Sequence, residues 1–383
     1  SRVLGHRAMN GEPVPGTFAA EDELYGLGEA LRDAGSGVFE LAPAGADGQD
    51  LGNAPKEMEW MKQLSATIQR PVTFALLQNE TEPLLWKQLL EESLEATEQG
   101  SQCFPQVAGR PFGLLIGLQT HHAFAKRPTF ITIAHLPHNE LVEQLKQSST
   151  RNAILTETDT DPDPKILFDG MSRMIQSMLH RLYPMGEIPD YEPDPTKSFV
   201  SIAETKNTTP EAVLYDYMLE NDGYAMGMMP IFNYVDGNHD VIREMLLHPQ
   251  AVSGLSDGGT HCGMICDASI PTFMLSHWTR DRTRGKKLPL EWIIKKQTND
   301  TASLYGLNDR GTLQVGKRAD INVIDYNALT LHGPKMAHDL PAGGRRLLQE
   351  ATGYDYTIVA GTITRQYGQD TGQRPGRLIR GAR

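Results

Sequence analysis

The 383-residue sequence predicts an α/β fold, a barrel of βα units followed by a small β-rich unit. Three observations carry this. Apolar, strand-like runs alternate with helix-like segments along most of the chain. Those runs lack in-and-out alternation, as parallel strands covered on both faces do. No Gly-rich dinucleotide turn follows any of them, which disfavours a doubly wound sheet.

The elements follow in order. Residues 17–35 predict a helix, acidic at its start and stopped by Gly35. Residues 37–42 (GVFELA) suit a buried strand, 55–69 a helix, 71–77 (PVTFALL) a strand and 82–98 a helix. Residues 112–118 (FGLLIGL) are apolar throughout and read as another barrel strand. The stretch 156–209, rich in Asp, Pro and Thr, predicts long loops around a helix near 171–182, with the composition of a lid or a linker. The alternation then resumes: helix 210–221, strand 228–233, helix 240–247, strand 251–255, and helices over 268–282 and 289–304. After Gly306 the segments ADINVID (319–325) and YTIVAGTITR (356–365), separated by Gly-rich turns, form the β-rich part. The expected division is a barrel over 1–306, with 156–209 inserted as a loop or lid, and a β unit with its tail over 307–383.

Composition narrows the function classes. Hydrophobic residues make up 39% and charged residues 22%, enough for a core and against wholesale disorder. Lys+Arg total 36 against 48 Asp+Glu, a net charge of −12 that argues against a nucleic-acid partner. No apolar run reaches the length of a spanning helix, so no membrane role is expected. Three cysteines (Cys103, Cys262, Cys266) exclude a disulfide scaffold. With no leader-like segment, they point to a reducing, cytoplasmic setting. Oligomeric state is open.

Several motifs fall away. The segment GTLQVGKR (311–318) nearly matches a phosphate loop, but Arg318 stands where Ser or Thr would hold Mg²⁺ and the segment precedes a strand. His261-Cys262 and Cys266 lack a second ligand pair at zinc spacing, so they read as buried thiols beside a histidine. His239-Asp240 reads as a helix start with Asp240 as its cap. His121-His122, just past FGLLIGL, is a ligand pair or an exposed loop. The informative stretch is SDGGTH (256–261), where an apolar strand ends in Asp257 and two glycines turn the backbone. Strand C-terminal ends carry the chemistry of α/β barrels, and a carboxylate there can act as a general base or bind a metal. A turn-forming Asp-Gly is the competing reading.

From this stretch onward the sequence resembles the amidohydrolase superfamily, specifically its N-acyl-D-amino-acid deacylase (D-aminoacylase-like) group. The likeness rests on SDGGTHCGMICDAS (256–269), on HWTRDRTRGKKLPLEWIIKKQTNDTASLYGLNDRGTLQVGKRADINVID (277–325) and on HDLPAGGRRLLQEATGYDYTIVAGT (338–362). SRVLGHRAMNGEPVPGTFAAEDEL at the start resembles the middle of such proteins, and 156–209 is the weakest part.

The resemblance implies a metal-dependent (β/α)₈ TIM-type barrel with a small β domain, hydrolysing an N-acyl-D-amino acid or related small-molecule amide. The implied cofactor is a divalent metal, Zn²⁺ above all. Asp257 maps onto the family's aspartate at the end of the last barrel strand, as metal contact and proton shuttle. His261, Arg280, His6 and Arg7 are candidates for substrate carboxylate or carbonyl. Where deacylases carry metal-binding histidines on middle strands, this chain reads FELA (39–42) and ALLQ (75–78), leaving Glu40 as a substitute ligand. The family's His-x-His pair is expected ahead of Ser1, and with it the first strands of the barrel. Two alternatives stand beside this reading: a non-catalytic barrel that binds a ligand or partner, and a hydrolase acting on a cyclic amide or carbamoyl compound.

Overall fold

The computed structural model describes residues 1–8, 10–46, 51–163, 166, 168–256, 258 and 261–379. Asp257 lies outside the described residues. Helix α1 (Glu21–Ala34) leads to strand β1 (Phe39–Leu41), α2 (Ala54–Ile68) to β2 (Val72–Ala75), and α3 (Leu85–Glu98) to β3 (Cys103–Ala108). The chain then departs and returns as β7 (Val252–Gly254), which completes a parallel sheet in the order β1-β2-β3-β7.

Period-two alternation splits this sheet into two unlike faces. Phe39, Leu41, Val72, Phe74, Cys103 and Val107 join the core beneath the helices, where they meet Met58, Met61, Leu64 and Ile68 of α2. Each fully buried Val, Leu, Ile, Phe or Met among them contributes about 1.5–3 kcal/mol relative to exposure. Helix α1 approaches α2 through Gly28, where a Cβ would sit 2.7 Å from Leu64 Cδ1. The alternate residues Glu40, Thr73 and Gln106 give the other face a polar character. Strand β3 falls where no strand is expected, because Pro105 interrupts its pattern. The strand tolerates Pro105 because β7 pairs with β3 only from Gln106 onward, so no ladder bond to β7 is lost.

The excursion between β3 and β7 corrects the simple βα reading. β4 (Phe112–Ile116), β5 (Tyr183–Pro184) and β6 (Gly227–Phe232) form a separate sheet, and all its pairs are antiparallel. Both apolar runs read as barrel strands because β4 is covered on both sides. Leu115 belongs to the first core, whereas Leu114 and Ile116 belong to a second. That second core is built largely from helices α4 (Pro128–Ile133), α5 (His138–Leu145), α6 (Ser148–Thr156), α7 (Met171–Ser177), α8 (Phe199–Lys206) and α9 (Pro210–Met218). The short turn α10 (Glu220–Gly223) then leads into β6.

Helix α11 (Asp240–Leu247) packs Ile242, Met245 and Leu246 into the first core and delivers the chain to β7. Its cap position is His239, not Asp240, and no side chain caps it. Beyond β7, α12 (Ile270–Ser276) widens into a π-helical turn over His277–Asp281, and α13 (Leu290–Lys295) into another over Lys296–Asp300, ahead of α14 (Thr301–Leu304). The end of the chain is β-rich, as expected. Its largest sheet joins Ile321–Ile324, Tyr354–Val359, Thr362–Gln366 and Gln369–Asp370. No described helix is long and apolar enough to cross a membrane.

Candidate active site at the end of the parallel sheet

Strand β7 ends at the carboxyl edge of the parallel sheet, the edge where βα folds place reacting groups, and SDGGTH follows it in the sequence. The segment from His261 onward is held from two sides. Leu115 N–H donates to Met264 O at 2.8 Å, and Leu347 N–H from the β-rich part donates to Cys262 O at 2.6 Å. These clamps fix His261, whose backbone is left-handed (φ 61°).

Two residues singled out in the sequence meet here. The rings of His6 and His261 lie 6.1 Å apart, centroid to centroid, although 255 positions separate them in the chain. Ser1 Oγ lies 2.7 Å from His6 Nδ1. The Phe168 ring touches His261 and His121 edge-on, each at 5.9 Å, so a third histidine joins this rim. Burial lowers the pKa of His121, and Arg345 adds to the effect. That guanidinium donates to Gln119 O at 2.9 Å, tying the β-rich part to the loop after β4. The rim therefore carries imidazoles whose N–H groups can donate to a carbonyl or carboxylate.

The other sequence candidates lie apart. Arg7 is exposed and closes its own turn onto Gly11 O at 2.9 Å. Arg280 binds Asp281 through Nε at 2.7 Å and Nη2 at 2.9 Å, and it also donates to the carbonyls of Tyr326, Asn327 and Leu329. Those contacts fasten the helix to the β-rich part. Glu40 lies on the polar face of the sheet. Gln106 Nε2 donates to its Oε1 at 2.8 Å, and Tyr305 Oη to its Oε2 at 2.9 Å. Burial raises the pKa of Tyr305, and Glu40 adds to that, so the phenol stays a donor. Gly254 makes room for Gln106, since a Cβ there would lie 2.5 Å from Gln106 Oε1.

The metal expectation meets a test here. A metal centre needs several donors around one point. Among the described residues, these strand ends gather no group of three, and both oxygens of Glu40 already accept hydrogen bonds.

A group the sequence did not reveal sits in the helix layer: Glu192, His239 and His277. Glu192 comes from the Pro-rich loop, His239 precedes α11 and His277 opens the π-helical turn. Arg282 grips Glu192 with two bonds, Nε to Oε2 at 3.0 Å and Nη2 to Oε1 at 2.8 Å. Burial opposes ionisation of Glu192, but hydrogen bonds from His277 and Arg282 outweigh it, so the carboxyl titrates far below its usual range. Burial pushes the pKa of His239 down to about 3, only partly offset by Glu192. The ring is therefore neutral at pH 7, and its Nε2–H donates to Tyr191 O at 2.8 Å. With intervals of 47 and 38 residues between its members, no local spacing announces this group.

Comparison with known proteins follows the same direction. The model of a family described as "Amidohydrolase family" matches residues 4–365. No curated protein matches the chain. A structure reported for the binuclear metal center in D-aminoacylase superposes with a TM-score of 0.51 at 17% identity, covering 94% of this chain and 59% of that one. A D-aminoacylase structure said to define a novel subset of amidohydrolases gives a TM-score of 0.51 at 18% identity, with the same coverage. A D-aminoacylase mutant in complex with CuCl₂ gives 0.52 at 16%, over 96% of this chain and 60% of that one. At such identities the likeness establishes the fold, and the chain spans about three-fifths of the length of these structures.

Proposed function

Because this chain belongs to the amidohydrolase family, we propose that it forms part of a hydrolase acting on carbon–nitrogen bonds other than peptide bonds. The substrate class is an N-acyl-D-amino acid or a related small amide. The observation that carries the reading is the meeting of His6 and His261 at the carboxyl end of the parallel sheet, beside the strand that leads into Asp257.

In this reading a water oxygen adds to the amide carbonyl carbon while Asp257 accepts the proton the water gives up. The carbon–nitrogen bond then breaks, and Asp257 returns the proton to the departing nitrogen. A carboxylic acid and an amine result, and the aspartate ends as it began. His261 and His6 donate to the substrate's carbonyl or carboxylate, with Arg7 and Arg280 as further candidates. A divalent metal, zinc by family resemblance, would make the attacking water more acidic. The setting proposed is cytoplasmic.

Asp257→Asn in the longest available form of the protein, with N-acyl-D-amino acids and cyclic amides as substrates, is the direct test. Turnover should fall at least about 100-fold, as for loss of a general acid–base group; unchanged turnover would overturn the assignment. A second reading has its own support. The middle strand ends carry no histidine and gather no group of three metal donors among the described residues, as a barrel that only binds a ligand would. Binding of those amides without turnover by the wild type would favour it.

A further inference from the structure

We propose that Glu192, His239 and His277 form a binding site for a zinc-class divalent ion, built in the helix layer and distinct from the strand-end chemistry. Three donor atoms of the right kind converge. Glu192 Oε2 lies 3.1 Å from His277 Nε2 and 3.7 Å from His239 Nδ1, and the two ring nitrogens are 3.2 Å apart. An ion with bonds of about 2.0–2.1 Å in tetrahedral geometry needs donor–donor edges of about 3.3 Å, so the triangle already has the size of one tetrahedral face. Two imidazoles and one carboxylate suit zinc or cobalt better than magnesium or calcium, which prefer oxygen ligands.

The surroundings hold these donors as outer-shell groups hold ligands. His239 donates Nε2–H to Tyr191 O, which leaves the Nδ1 lone pair facing the centre. Glu192 Oε1 accepts from His239 N–H at 2.7 Å and from Arg282, so the carboxylate cannot rotate freely. The His277 ring stacks on Phe273 at 4.4 Å, with 15° between the planes. His277 also opens a π-helical turn, a rare distortion frequent at functional sites.

The charges allow a cation. Arg282 pairs with Glu192 and Asp240, and Arg284 lies 3.9 Å from Asp194, so three carboxylates face two guanidinium groups. Without an ion, His277 Nε2–H serves both Glu192 Oε2 and His239 Nδ1. Moving that proton to Nδ1 of the same ring frees all three lone pairs at once, with no net proton lost.

The test uses the purified chain, stripped with a chelator and titrated with Co²⁺. One equivalent should bind, with the visible absorption of a four- or five-coordinate ion. His277→Gln should weaken binding at least about 100-fold, beyond the 10–100-fold typical of losing an outer-shell partner, in a protein whose thermal melt shows it folded. His277→Cys should keep binding and add a thiolate-to-cobalt band in the near ultraviolet, which only a direct ligand gives. No binding by the folded wild type, unchanged binding in His277→Gln, or cobalt binding in His277→Cys without that band would overturn the proposal. Asp257→Asn should still bind cobalt, so the outcome is independent of the hydrolytic reading.

Discussion

His122 is a proton-linked weak point whose effect can be computed. The side chain is fully enclosed, its Nδ1 accepts the Phe124 N–H at 3.2 Å and its ring meets Phe130 edge-on at 4.5 Å. Burial, reinforced by His121, pushes its pKa down to about 3. In the unfolded chain a histidine titrates near pH 6.5. The folded pKa is thus the lower one, and below pH 6.5 the unfolded state takes up a proton that the folded state refuses. The stability contribution is whole above pH 6.5 and drains as the pH falls toward 3. A difference of one proton costs about 1.4 kcal/mol per pH unit. Between pH 6 and 5 most unfolded chains carry that proton, while carboxylates have barely begun to titrate. His122→Asn keeps an acceptor near the Nδ1 position and removes the titration. Urea unfolding followed by tryptophan fluorescence should give the wild type a slope steeper than the variant's by about 1 kcal/mol per pH unit in this window. Equal slopes would refute the argument, because a buried neutral histidine cannot be silent in that balance.

Two further outcomes rest on packing and charge. Arg282→Met strands the buried Glu192 carboxylate and should cost about 3–5 kcal/mol, as breaking one side of a buried ion pair does; urea denaturation at pH 7 measures it. Gly113→Ala places a Cβ 2.4 Å from the backbone oxygen of Met229 across the β4–β6 pair. That atom cannot swing away, so a loss of about 1–3 kcal/mol is expected in the same assay.

Local signals carried much of the architecture. The helix 240–247 and the alternation of helices and strands over residues 21–98 follow from periodicity, apolar runs and terminators such as Gly35. Those cues act within a few residues, so they survive without tertiary context. The direction of β4 and β6 did not follow. An apolar strand between two cores has no polar face, whether its neighbours run parallel or antiparallel to it. The helices over 128–156 have no counterpart in the expected elements, although they supply much of the second core.

The candidate sites divide along the same line. Composition, the apolar strand ahead of SDGGTH and the long C-terminal likeness were enough to reach an α/β fold of the barrel type with a β-rich end and to single out His6 and His261. That these two rings share one rim depended on the clamps from β4 and the β-rich part, contacts spanning more than 80 residues. The Glu192–His239–His277 group belongs wholly to tertiary structure. Its members come from a loop, a helix start and a π-helical turn, and only the packing of those three segments on one core brings their donor atoms within bonding distance of a common point. Sequence periodicity records which face of an element is buried; it holds no record of which distant face it will meet.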